Sequence, residues 1–306
     1  MLGSGFWTAM YKSFELGLLY AIMALGVYVT FRVLDFPDLT VDGSFTTGAG
    51  IAAIGISSGL HPLAATLLAV AGGALAGMMT GLIHTKGKIN PLLSGILMMI
   101  ALHSINLRIM GKPNIGLLNQ ETLFTSLEKG FMFIAVVGAL VLVIKFIIDG
   151  FLKTDIGLAL RATGDNARMI RSFGVKTDST IVVGVSLSNA LVALSGALVA
   201  QYQGYADLQS GVGMIVIGLA SVIIGEAIFG KRTIARVTFA VLLGAVLYRL
   251  ILAVALQMEV DSTDLKLLTA LIVIFALTLP RIRGNMKQKA VSRKRAVEMM
   301  KVGGEG

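Results

Sequence analysis

Apolar runs close to or longer than 18 residues recur from one end of this chain to the other, and they leave few folds open. A helix of that length, rising about 1.5 Å per residue, crosses the hydrocarbon core of a bilayer. In lipid every backbone N–H and C=O must be bonded within the protein, which restricts spanning structures to helices and closed barrels. The runs are continuously apolar rather than alternating, so they do not read as barrel strands. Of the 306 residues only 14% are charged, against roughly 25% in a soluble domain. The expected fold is an all-α polytopic membrane protein forming a single transmembrane domain over 1–306.

About nine spans are expected, with eight to ten as the range: 13–31, 44–59, 62–83, 91–110, 130–151, 179–200, 211–229, 237–256 and 264–280. A tenth helix within residues 1–12 is the main alternative. That stretch holds one lysine and no cleavage pattern, so the first span is expected to be retained. Arg281–Lys301 carries eight Lys/Arg against one Glu. Directly after an apolar span, the positive-inside rule accounts for such a tail without any nucleic-acid partner. The C-terminus is therefore expected in the cytoplasm. Working back, the loops 231–236 and 152–178 fall inside and the N-terminus falls outside.

The first half, 13–110, resembles the second, 179–280, in the order of its parts. D-L-T-V-D-G-S-F-T-T-G (38–48) has a counterpart in D-L-Q-S-G-V-G (207–213), and L-L-S-G-I-L-M-M-I-A-L (92–102) in L-L-T-A-L-I-V-I-F-A-L (267–277). Five spans separate the equivalents, an odd number, so the halves would be inverted, as in many transporters. The extra span 130–151 and the loop 152–178 lie between them. Gly72, Gly73, Gly77, Gly218 and Gly225 offer small faces for close helix contact.

Several chemistries are excluded early. The chain has no cysteine, hence no disulfide or thiolate site, and its three histidines, His61, His84 and His103, lack metal-ligand spacing. His61 and His84 are expected at span ends, on the surface. No G-x-x-x-x-G-K-[ST] phosphate loop occurs, so the energy for any transport must come from a partner or a gradient. A membrane-embedded enzyme would need a paired acid and base or a metal constellation, and none is seen.

The stretch T-D-I-G-L-A-L-R-A-T-G-D-N-A-R-M-I-R-S-F-G-V-K-T-D, 154–178, reads as two short helices outside the membrane. Asp155 is expected to cap the first and Gly164 to end it. Asp165 or Asn166 caps the second, which stops at Gly174 in the C′ position. Its apolar residues, among them Ile156, Leu158, Met169 and Phe173, are expected to form a partner surface.

R-A-T-G-D-N (161–166), followed by F-G-V-K-T-D and a new span, resembles the cytoplasmic coupling loop of ABC importer permeases of the branched-chain amino acid and ribose type. The likeness extends through A-L-S-G-A-L-V-A-Q-Y-Q-G-Y-A-D-L-Q-S-G-V-G-M and V-I-I-G-E-A-I-F-G, and over nearly all of the chain. It implies a permease subunit of the bacterial cytoplasmic membrane, dimerised with a second copy and holding two cytoplasmic ATPase subunits. Those partners, not this chain, would bind ATP and Mg, and an extracytoplasmic binding protein would deliver the solute. The resemblance places the ATPase-coupling contacts at Asp155, Arg161, Ala162, Thr163, Gly164, Asp165, Asn166, Arg168, Arg171 and Gly174. Many relatives have proline after the Asp-Asn pair; here it is Ala167. The form with D-F-P-D-L-T-V-D-G-S-F is similar to a shorter subgroup paired with a lipoprotein binding protein, which implies a small organic solute, an amino acid and in some cases an aromatic one. The rival reading is an ion-coupled secondary transporter, which also uses inverted repeats but needs a buried titratable cluster between the halves.

Asp35, Asp38, Pro37 and Asp42 interrupt the apolar pattern within eight residues. An Asp at the bilayer centre costs roughly 2.5–3.5 kcal/mol. These carboxylates are therefore expected either in a cytoplasmic connection or on unwound backbone lining a polar cavity. Asp42 or Ser44 could cap the following helix. Solute-pathway candidates are Asp38, Asp42, Ser44, Thr46, Thr47, Gln203, Asp207 and Arg249, the last with an ion pair or a snorkelling side chain as its structural alternative. Asn106 and Asn189 are further intramembrane polar groups. Glu226 and Arg108 are expected to reach water, and Tyr202 and Tyr205 to sit in an interfacial belt.

Overall fold

Long apolar segments bounded by caps become helices in the computed structural model, which describes residues 4–125 and 130–257, with Leu267, Ala270, Leu271, Ile274 and Thr278. The chain divides into two units, Met1–Val260 and Asp261–Gly306. In the second, those five positions are helical; otherwise the expected span 264–280 and the basic tail 281–306 lie outside the described residues. In the first, α1 (Ser4–Tyr28) runs into a π-helical turn (Val29–Val33). There follow α2 (Thr40–Ser57), α3 (Pro62–Thr85), α4 (Pro91–Met110), β1 (Asn114–Gly116), α5 (Phe131–Phe151) and α6 (Asp155–Ser172). α7 (Thr177–Gln203), β2 (Tyr205–Asp207), α8 (Met214–Phe229) and α9 (Ile234–Leu256) complete it.

Local chemistry sets these ends. Pro62 and Pro91 open α3 and α4, where a missing N–H costs nothing. Before them, His61 Nδ1 accepts from Leu63 N and Asn90 Oδ1 accepts from Leu92 N. α4 and α7 stop at Gly111 and Gly204, both left-handed, at φ 68° and 79°. Leu117 N donates to Gly204 O and Leu208 N to Pro113 O, so β1 and β2 pair antiparallel, with Ile115 opposite Ala206.

Among the described residues, six helices are long and apolar enough to cross a membrane: Phe6–Val33, Pro62–Thr85, Pro91–Met110, Phe131–Phe151, Thr177–Gln203 and Ile234–Leu256. The chain is a multi-pass membrane protein. Two of the expected spans differ from this description. The segment 44–59 belongs to α2, whose Gly and Thr residues and Ser44 are buried inside the bundle rather than facing lipid. The segment 211–229 yields α8, of 16 residues, about 24 Å long against a hydrocarbon core of about 30 Å. Residues 4–12 are continuous with α1 and do not form a helix of their own.

Packing is built on glycines. A Cβ on Gly48 would sit 2.0 Å from Ala193 O, on Gly77 2.4 Å from Val185 O, and on Gly225 2.1 Å from Ala240 O. Backbones approach this closely only where no side chain intervenes. The contacts repeat in pairs: α3 packs on α7 as α9 packs on α1, and α2 lies on α3 as α8 lies on α9.

Candidate functional site

Two places concentrate polar side chains, one within the bundle and one at its end. The first begins where the π turn fails to continue as α-helix. Leu34 N donates to Val29 O and Phe36 N to Thr30 O, and Asp35 takes φ 52°, so the chain reverses before Pro37. Asp38, fully buried, accepts from Thr40 N at 2.9 Å and from Asn189 Nδ2 at 2.7 Å. Asp207 makes the matching turn, accepting from Gln209 N at 2.7 Å. Both D-L-x sequences thus use the Asp carboxylate to hold the amide two residues on, and each lies just ahead of a short buried or apolar helix.

Asp42 joins the two. It lies in the first turn of α2, yet its oxygens accept from Gly213 N and Ile215 N, each at 2.9 Å, so it caps α8 from outside that helix. The carboxylate satisfies two of the amides left free at a helix start and matches the positive end of its dipole. Close approach requires Gly211, where a Cβ would lie 1.9 Å from Asp42 O. Thr46 Oγ1 accepts from Gly211 N at 3.1 Å. Thr47 donates to Asn106 Oδ1 at 2.8 Å, and Asn106 Nδ2 to Gly43 O at 3.1 Å, tying α4 to α2.

Beside this junction lies a cavity of about 500 Å³. Asp42, Gly43 and Thr46 form its α2 wall, with Leu39 below. Met99, Ile100, His103, Ser104 and Asn106 come from α4, and Leu208 and Val212 from the loop before α8. Of the eight candidates along the solute path, the structure brings Asp42 and Thr46 to this cavity. Asp38, Ser44 and Thr47 are buried in helix packing next to it. Gln203 ends α7 exposed, Asp207 lies in the ribbon, and the Arg249 guanidinium stacks 4.3 Å from the Tyr20 ring centroid. His103 and Ser104 were not among the candidates. A lone imidazole in an apolar run carries no spacing signal, and only the fold shows what it faces.

Two smaller expectations are corrected. Glu226 does not stand free in water; Arg32 holds it in a forked ion pair that joins the π turn to α8. Tyr202 donates to Glu15 Oε2 at 2.7 Å and packs between Phe124 and Phe133, inside the protein rather than in a belt.

The second place is α6. Thr154, not Asp155, caps it: Gly157 N donates to Thr154 Oγ1 at 3.3 Å. Asp155 stands in the first turn, where its charge still suits the dipole. The kink comes at Asn166, with φ −160° and ψ 87°, and Asn166 Oδ1 then accepts from Met169 N at 3.0 Å as the second cap. Gly164 does not end the first part. It lies against the π turn, where a Cβ would meet Val33 O at 2.1 Å. Gly174, at φ 86°, ends the second part as expected. Leu160 and Thr163 face the bundle, whereas Asp165, Asn166, Arg168 and Arg171 are exposed. Arg161 and Ala162 are partly covered. Arg171 donates to Thr177 Oγ1 at 2.7 Å and pairs with Asp178, clamping the corner into α7. Ile156, Leu158, Met169 and Phe173 stay exposed, the last at 75%.

A family model described as "Branched-chain amino acid transport system / permease component" matches residues 10–278. The chain is 44% identical to the tyrosine transport system permease protein of Clostridioides difficile (strain R20291), over 89% of this chain and 91% of that one. An uncharacterised protein of Rickettsia prowazekii (strain Madrid E) is 33% identical over 86% of this chain and 95% of its own. The autoinducer 2 import system permease protein LsrC of Yersinia pestis (strain Pestoides F) is 27% identical over 71% of this chain and 61% of its own length. No solved structure matches.

Proposed function

The chain belongs to the branched-chain amino acid transport system permease family, as a permease component of an ABC-type importer, and from that membership we propose how it works. α6 is the elbow on which a cytoplasmic ATPase subunit pulls. The observation that carries this reading is the way α6 is mounted. Gly164 seats it against the π turn, Leu160 buries it against Gly184 of α7, and its apolar residues on the other side are left bare. A push on that exposed side is delivered to the junction of α1, the π turn and α7, next to Asp38 and the start of α2. ATP and Mg act on the partner, whose closure reaches the membrane through this contact.

The paired packing of α1 with α9 and α3 with α7, and the twin D-L-x turns, support two inverted halves. In this reading α6 and the ends of α1, α3 and α8 face the cytoplasm, the β1–β2 ribbon faces outward, and a second copy completes the passage. A binding protein, here a lipoprotein, would dock on the ribbon side. The tyrosine permease of C. difficile supports an amino acid, aromatic ones included, as solute.

The test is reconstitution of the chain with its ATPase subunits and binding protein. Hydrolysis is expected to rise when loaded binding protein is added. Gly164→Val, which drives two methyl groups into Val33 O, is expected to abolish that rise and weaken copurification of the ATPase. A variant complex as tight and as responsive as the original would overturn the elbow. Uptake by the chain alone on a proton or sodium gradient would overturn the importer reading.

A further inference from the structure

The cavity between α2, α4 and the loop before α8 has an unusual division of polar groups. Those that belong to the junction are spent. Both oxygens of Asp42 hold amides of α8, Thr46 is bonded to Gly211, and Asn106 is bonded to Thr47 and Gly43. His103 and Ser104, by contrast, make no hydrogen bond among the described residues, and both are exposed. They lie about 18 Å along α4, near the middle of a helix some 30 Å long. A membrane helix does not ordinarily turn an imidazole and a hydroxyl side by side toward lipid, since neither finds a partner there. What they face is the cavity.

The remaining lining is apolar: Leu39, Met99, Ile100, Leu208 and Val212. A volume of about 500 Å³ falls within the roughly 300–1,000 Å³ of small-molecule pockets, which are likewise mainly apolar with a few polar groups at fixed points. The one carboxylate on its wall is engaged by amides of α8 and no Lys or Arg lines the cavity, so a net-charged solute finds no free counter-charge there. A net-neutral molecule with an apolar ring and one hydrogen-bonding end meets each wall with its like, and the Met99 thioether adapts readily to a ring.

We propose that this cavity is where the solute pauses within the membrane, that it takes a net-neutral amino acid with an aromatic side chain, and that His103 and Ser104 hold its polar end while Met99, Ile100, Leu208 and Val212 cover its ring. The inference rests on the importer reading and adds the place and the contacts. It also reassigns Asp42, from a solute ligand to the residue that keeps the cavity's back wall in shape.

The absence of native cysteine makes a direct test clean. Ser104→Cys and Ile100→Cys, each the sole thiol, are assembled with the ATPase subunits and binding protein in proteoliposomes and exposed to a charged, water-soluble methanethiosulfonate. Val143→Cys, on the exposed side of α5, is the lipid-facing control. Both α4 thiols are expected to react and the control not to, and turnover with L-tyrosine is expected to slow their reaction. His103→Ala is expected to cut L-tyrosine uptake about tenfold, the effect of one ordinary hydrogen bond, and His103→Gln, which keeps a donor and an acceptor, to recover most of it. α4 thiols as inert as the control would show a lipid-filled groove and overturn the proposal. So would labelling that L-tyrosine turnover leaves unchanged, or uptake indifferent to His103. Basal reactivity of the α4 thiols does not depend on hydrolysis, whereas its slowing by L-tyrosine does. A failed importer reading would therefore show as no uptake by the unaltered complex, and the slowing is read only where that uptake is present.

Discussion

Asp42 is one carboxylate asked to serve two helices. It stands on α2, and the amides it holds belong to α8. Removing it strands two buried N–H groups, at about 1–3 kcal/mol each. Asp42→Ala is therefore expected to destabilise the purified chain by about 2–6 kcal/mol, read as a lower thermal midpoint in detergent. Asp42→Asn keeps one oxygen acceptor and should lose less. A solute ligand would behave in the opposite way, with uptake lost and the midpoint unmoved. From sequence, Asp42 was legible as a polar group that could not face lipid and could cap a helix. Which helix it caps was not, because the partner lies about 170 residues away and a cap formed across elements leaves no local spacing. Thr154 and Asp155 differ from that case in being neighbours: both can cap, and Thr154 does, accepting from Gly157 N.

Among the helices, α5 depends most on a buried charge pair. Lys145 and Asp149, one turn apart and 5% exposed, pair with each other, and Thr238 of α9 donates to Asp149 Oδ1 at 2.6 Å. The ion pair lies within α5, and the Thr238 hydrogen bond ties it to α9. Breaking a buried pair by removing one member leaves an uncompensated ion, at about 3–5 kcal/mol, whereas replacing both members by apolar groups is often neutral. Lys145→Met alone is expected to destabilise strongly. Lys145→Met with Asp149→Leu is expected to recover most of the loss, since the Thr238 hydroxyl still reaches Ile234 O and Ala235 O. Thermal unfolding of the two variants decides it. α2 and α8 show why helix count was the least legible part. The Gly, Ser and Thr residues of α2 dilute the hydropathy that marks a span, yet let that helix sink among its neighbours, whereas α8 is strongly apolar and falls short only in its 16-residue length. In α6 the Asn166 cap and the Gly174 end were legible because they are local chemistry, whereas Thr154 rather than Asp155 caps the first part and Gly164 does not end it.

Across the bundle, the two ends differ in charge. The ends of α1, α3 and α8 and the starts of α7 and α9 meet on one side, shown by Gly164 on Val33, Gly81 on Val182 and Arg32 on Glu226. That side carries Lys86, Lys88, Lys153, Lys231 and Arg232 besides the arginines of α6. The ribbon side carries Lys12, Arg108 and Lys112 against Glu15, Glu121 and Asp207. Positive charge is retained in the cytoplasm during insertion, so the α6 side is expected inside. Leu118, 83% exposed beyond β1, and Phe173, 75% exposed on the elbow, are probes at opposite ends. In a chain without native thiols, Leu118→Cys is expected to react with a membrane-impermeant maleimide in intact cells, and Phe173→Cys only after the membrane is opened. The inverse labelling would put the elbow on the side where no ATP is held. Mounting α6 on the π turn would then transmit nothing, and its bare apolar side would need an outer partner instead.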